Sequence, residues 1–174
     1  LAKQRAMVSA GNTFGEIAAE FIDKRRREGL ASSTAAKSEY YIARMGVTFA
    51  RLPIAEITAT DVLAVLKRIE ATKNYETARR ILQLAGRVFR YAVATARLAS
   101  DPTRDLRGAL IAPQPKHYGA ITDAKRAGEL LRAIDAYDGH PITKLAMEIS
   151  PHVFVRPGEL RHAEWREIDL EERL

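Results

Sequence analysis

Apolar and polar positions alternate along this chain with helical spacing, and one segment carries the pattern most clearly. Between Tyr75 and Leu98, Ala78, Ile81, Leu82, Ala85, Val88, Phe89, Ala92, Val93 and Ala96 recur at steps of three and one. At about 100° per residue they occupy one arc of roughly 140°, which predicts an amphipathic helix with a single buried face. Arg79, Arg80, Gln83, Arg87, Arg90 and Arg97 fall on a separate arc of roughly 100° by the same count. Only Glu76, in the first turn, opposes them. Surface helices usually interleave both signs, so five arginines without intervening acids forgo the i,i+4 pairs that would support the helix.

Three helices are predicted ahead of this one. Thr13-Phe-Gly-Glu16 is a capping box, and Phe14, Ile17, Ala18, Phe21 and Ile22 follow at helical spacing. That helix closes in Lys24-Arg25-Arg26-Arg27-Glu28 before Gly29, a C′ glycine. Ser32, Ser33 and Thr34 offer N-caps for a second helix carrying Tyr40, Tyr41, Ile42 and Met45, ending near Gly46 or fraying on to Phe49. Leu52-Pro53-Ile54 reads as an extended connection. Thr58-Ala-Thr-Asp61 is a second capping box, opening a helix with Val62, Leu63, Val65, Leu66 and Ile69.

Beyond the long helix, residues 106–120 hold two prolines and two glycines without a sustained period, the pattern of a linker. Thr122 then caps a helix through Ile134, and Pro141 opens another that Pro151 breaks. Val153, Phe154 and Val155 form a buried approach to Arg156. Pro157 pushes Arg156 into extended geometry and sits where a first helical residue lacks an N–H partner anyway. Glu159 falls in the first turn, where the dipole favours a carboxylate. Glu167-Ile-Asp-Leu170 reads as the start of a strand. The chain is thus mainly α, with a linker tail at 1–12, a four-helix domain at 13–105, a linker at 106–120 and a second domain at 121–174.

Charge is distributed unevenly along the chain. Residues 1–105 hold 18 Lys+Arg against 11 Asp+Glu, a net of +7, whereas residues 106–174 hold 10 against 11, a net of −1. All the excess positive charge lies in the first part, which points to a polyanion partner there. A duplex backbone reader explains the unopposed arginines; a merely solvated basic face is the alternative. Lys73, just ahead of the helix, extends the basic set.

There is no cysteine, which excludes disulfides and thiolate metal sites and fits a reducing cytoplasm. The four histidines show no metal-ligand spacing. His162-Ala-Glu164 echoes a deaminase signature without the cysteines it requires. Serine-hydrolase elbows and glycine-rich phosphate loops are missing, and no cofactor or metal is expected. No apolar stretch approaches membrane-spanning length, so no membrane partner is expected.

Arg156 on its proline corner has the planar fork that suits bidentate phosphate binding. It could equally cap a neighbouring helix or pair with Glu159. Here the residues carry a resemblance. Val155-Arg156-Pro-Gly-Glu-Leu-Arg161, with Ala163, Trp165 and Glu167-Ile-Asp-Leu170, resembles the first catalytic box of the tyrosine recombinases, and more narrowly of phage integrases of the P4 type. Pro53-Ile-Ala-Glu-Ile-Thr58, Glu76-Thr-Ala-Arg-Arg80 and Val88-Phe-Arg-Tyr-Ala92 are similar to that family's core-binding domain. Asp101-Pro-Thr resembles the Asn-Pro-Ala turn that closes it, and Lys116-His117-Tyr118 its linker.

The resemblance implies a SAM-like core-binding bundle followed by the helical opening of a mixed α/β catalytic domain. It implies that Arg156 clamps the scissile phosphate with Glu159 in support. It implies duplex DNA at an attachment site as partner, self-association on that DNA in the intact protein, and a bacterial host cytoplasm. Lys73, Arg79, Arg80, Gln83, Arg87, Arg90, Arg97 and Lys116 are the candidate DNA contacts. The family's β-hairpin Lys, His-x-x-Arg box and late Tyr nucleophile find no counterpart, since all six tyrosines precede Arg156. The chain therefore reads as a recombinase fragment for DNA integration, inactive alone. A stand-alone helical DNA-binding regulator is the alternative, and a helical module for an acidic protein a third reading.

Overall fold

The computed structural model describes residues 12–114 and 119–169. The expected linker tail up to residue 11, Lys116 with His117 and Tyr118, and the end of the expected strand at Leu170 lie outside the described residues. The chain forms two compact units, one up to Pro115 and one from Lys116.

The first unit begins where Thr13 meets Pro53 in an antiparallel bridge, with the Ile54 N–H donating to the Asn12 carbonyl at 2.8 Å. Helix α1 (Phe14–Arg27) starts in the expected capping box: the Glu16 N–H donates to the Thr13 hydroxyl, and the Thr13 N–H to the Glu16 carboxylate. It ends at Glu28, with Gly29 following at φ +91°. Helix α2 (Ser32–Met45) departs from expectation at its start. Ala31 is the N-cap and makes no side-chain bond, because the break from extended backbone falls one residue before the hydroxyls, which lie inside the first turn. A turn at Gly46 leads into the short α3 (Val47–Ala50), so the expected fraying towards Phe49 is a separate helix.

A 3-10 turn at Ile54–Glu56 precedes α4 (Ala59–Glu70), which opens in the second expected capping box, Thr58 with Asp61. Helix α5 spans Tyr75–Ala94, four residues short of the expected end. The Ala92 carbonyl accepts from the Arg97 N–H, and Ala96 takes φ +58°, so the periodicity stops before Ala96 can join the buried face. That face is also wider than the pattern indicated, since Leu84 and Gly86 are buried on its two flanks.

Helix α5 packs against α4, α2 and α1. Phe14 sits at the centre, with ring centroids 5.0 Å from Phe49 and 5.2 Å from Phe89. Ile17, Ile54, Val62, Leu66, Ile81 and Val88 complete a closed apolar core. Of the residues expected along α2, Met45 is buried and Tyr40 is exposed. The start of the expected linker belongs to this fold. Leu106, in a 3-10 turn at Arg104–Leu106, is buried, and the Ile111 N–H donates to the Glu70 carboxylate at 2.6 Å.

In the second unit α6 (Ala124–Asp135) packs on α7 (Pro141–Val153), and α7 on α8 (Pro157–His162). Asp123, rather than Thr122, caps α6, because its carboxylate reaches the Arg126 N–H at 2.9 Å. Pro151 does not break α7. It lies inside its last turn, and the helix stops two residues later where Phe154 turns left-handed at φ +52°. A 3-10 turn at Trp165–Glu167 takes up the first residue of the expected strand, Ile168 after it is extended at φ −115° and ψ 113°, and no strand forms among the described residues.

Candidate nucleic-acid interface

Arg79, Arg80, Gln83, Arg87 and Arg90 project from one side of α5, and all five are exposed. The burial of Ile81, Ala85, Val88 and Ala92 on the opposite face leaves them nowhere else to point. Two are partly neutralised: Arg80 bonds to Glu76 at 2.7 Å, and Arg90 to Asp101 at 3.1 Å. Arg79 and Arg87 have no ion-pair partner among the described residues. Lys73 stands in the α4–α5 turn, exposed and left-handed at φ +59°.

Arg97 differs from the rest. Because α5 has already ended, its guanidinium is turned onto α1, where it makes two bonds to the Glu20 carboxylate, which also accepts from the Tyr91 hydroxyl. The Arg97 and Tyr91 donors hold the Glu20 carboxyl below its ordinary range, and the bond to Glu20 pushes the Tyr91 phenol up. Three of the four cations at the end of α1 are also occupied: Lys24 and Arg25 bond to Glu28, and Arg26 to Asp23 and Glu39.

Three positions escaped the sequence pattern. Arg104 and Arg107 line the same groove as the α5 arginines, although no periodicity connects them to that helix. Glu70 is a buried acid at a helix C-terminus, where the dipole disfavours it. The Lys67 ammonium and the Ile111 N–H hold its carboxyl below the ordinary range. A lone acid after an apolar helix face was the available signal for Glu70, and the cluster Arg104, Arg107 after Asp101-Pro for the other two.

In the second unit Arg156 takes the extended geometry expected before Pro157, φ −70° and ψ 149°, and Pro157 opens α8. Glu159 accepts from the Arg156 N–H at 2.8 Å and from its guanidinium at 2.9 Å, the pairing left open above. These bonds hold the Glu159 carboxyl below its ordinary range. The buried approach is not found: Val153 and Val155 are exposed, Phe154 is 98% exposed and the Arg156 side chain 86%. The three helices of this unit do not enclose the segment, and no described residue of the unit is buried. Among the described residues no group of His, Asp or Glu could hold a metal, and no helix is long and apolar enough to cross a membrane.

The model of the phage integrase central domain matches residues 14–109. The integrase of Enterobacteria phage P4 is 33% identical over 173 residues, covering 98% of this chain and 38% of that protein. The IntB protein of Escherichia coli (strain K12) is 38% identical over 118 residues, 68% of this chain and 30% of that protein. The chain thus spans less than half the length of these relatives. Among solved structures, the Tn1549 transposon integrase in complex with circular intermediate DNA matches with a TM-score of 0.74 at 17% identity, covering 93% of this chain and 52% of that one. A lambda integrase dimer bound to a COC′ core site matches with a TM-score of 0.70 at 18% identity, covering 96% and 47%. At such identities the likeness is one of fold.

Proposed function

Since this chain belongs to the phage integrase family and carries its central domain, we propose that residues 12–114 bind duplex DNA through the basic face of α5. The carrying observation is the exposed set Arg79, Arg80, Gln83, Arg87 and Arg90, in which Arg79 and Arg87 lack ion-pair partners among the described residues. Arg97, and Lys24, Arg25 and Arg26 at the end of α1, are bonded to acids of the same unit and are left out of the contact set. Lys73, in the turn just before α5, and Lys116, from the linker, would add to the contact. The Tn1549 structure is in complex with circular intermediate DNA and the lambda dimer is bound to a COC′ core site, which supports the same reading.

For the whole protein the reading is a site-specific tyrosine recombinase of a prophage or mobile element, acting on an attachment site in the cytoplasm of a bacterial host. It would self-associate on that DNA. Arg156 would bind the scissile phosphate there, with Glu159 orienting it through the two bonds described. A guanidinium pre-set by a carboxylate stabilises developing phosphate charge without reorganising during the reaction.

The test is a titration of the 174-residue chain with attachment-site and random duplexes across a salt series. With three to five phosphate contacts, log K should fall against log salt with a slope of about −3 to −5, by counterion release. Absent or salt-independent binding would favour a protein partner instead. Because all six tyrosines precede Arg156, a nicked attachment-site duplex should trap no covalent adduct with this chain. An adduct on any of them would overturn the assignment of Arg156 to a site completed by a later tyrosine.

A further inference from the structure

After α5 the chain folds back and lies along the basic face. Asp101 makes that return through its two oxygens. One accepts from the Thr103 N–H at 2.8 Å and the Thr103 hydroxyl at 2.6 Å; the other accepts from Arg90 at 3.1 Å. The turn lies so close to α5 that a Cβ on Gly86 would come within 2.8 Å of the Thr103 hydroxyl oxygen. Beyond the turn, Leu106 is buried in the core and the Ile111 N–H is held by the Glu70 carboxylate. Residues 101–111 are therefore anchored at both ends and in the middle.

This anchored segment presents two arginines outward. The Arg104 side chain is 80% exposed, and its acid neighbour Asp105, itself exposed, stands 3.7 Å away. Arg107 is exposed with no ion-pair partner among the described residues. Both line the groove whose other side carries Arg79 and Arg87. A cation fixed by its backbone loses less freedom on meeting a phosphate than one on a loose loop.

We propose that residues 104–107 form the second wall of a phosphate-binding groove, with Arg104 and Arg107 contacting the backbone of the duplex that α5 binds. This rests on the reading of α5 as a DNA-binding face. The two walls would take phosphates of one strand between them, giving affinity without base selection.

The experiment compares the whole chain, Arg104→Gln/Arg107→Gln and Arg79→Gln/Arg87→Gln on one duplex from low to moderate salt, with melting temperatures measured alongside. The Arg104/Arg107 double variant should melt like the parent and have a slope of log K against log salt shallower by about 2. It should lose affinity for attachment-site and random duplexes by the same factor. A parental slope in that variant, with the Arg79/Arg87 variant flattened, would overturn the second wall and leave α5 as the reader. If the parent itself shows no salt-dependent binding, the DNA reading and the second wall fall together.

Discussion

Arg87 and Arg97 are ten residues apart and share a helical face by count, yet the fold uses them differently. Arg87 lies within α5 and points to solvent, whereas Arg97 lies three residues past its end and bonds Glu20 on α1. Helical counting is valid only while the helix lasts, and nothing in the local sequence marks Ala94 as its end. Glu20 and Arg97 are 77 positions apart, so their pairing was not legible in the chain. The Arg156–Glu159 pair, three residues apart, was one of the open readings. Arg97→Gln should therefore cost about 1 kcal/mol of stability, the scale of a partly exposed ion pair with hydrogen bonds. It should leave the salt dependence of duplex binding at the parental value. A flattened slope in this variant would return Arg97 to the DNA contacts.

The helices whose starts combine a threonine and an acid three residues apart were legible, because both partners of a capping box lie within four positions. Helix α2 was legible as a helix but its cap was not, since Ala31 rather than one of the hydroxyls stands at its start. The Asp123 cap was missed by one residue for a similar reason: two adjacent residues can both cap, and backbone direction decides between them. The boxes also carry a pH signature. Hydrogen bonds from the Thr13 hydroxyl and N–H hold the Glu16 carboxyl below its ordinary range, and those of Thr58 do the same for Asp61.

A carboxyl whose pKa is lower in the folded state stabilises the fold above its unfolded pKa, and that stabilisation is lost as pH falls through the folded value. Melting temperature should therefore decline on acidification from about pH 5 to about pH 3. Thr13→Ala and Thr58→Ala should each cost about 1 kcal/mol at neutral pH. Together they should also make the acid decline smaller. An acid decline of parental size in the double variant would show that the boxes do not set it.

At the scale of the molecule the two units differ in kind. Residues 12–114 close a core around Phe14, and their helical content, the long amphipathic helix and the excess positive charge were all readable beforehand. What could not be read was the fate of residues 106–111, since a stretch with glycine and proline looks like linker until Leu106 finds a core and Ile111 finds Glu70. In the second unit the apolar run before Arg156 suggested burial, but enclosure depends on how many elements surround a segment, which no local pattern records. The DNA-binding role of the α5 face is open to a direct measurement. Arg79→Gln/Arg87→Gln removes the two α5 arginines that lack ion pairs among the described residues and leaves the buried face untouched. With helicity unchanged by circular dichroism, its slope of log K against log salt should be shallower than the parent's by about 2, for specific and random duplexes alike. A parental slope in a folded double variant would mean that this face is merely solvated, and would contradict its assignment as the DNA-binding surface.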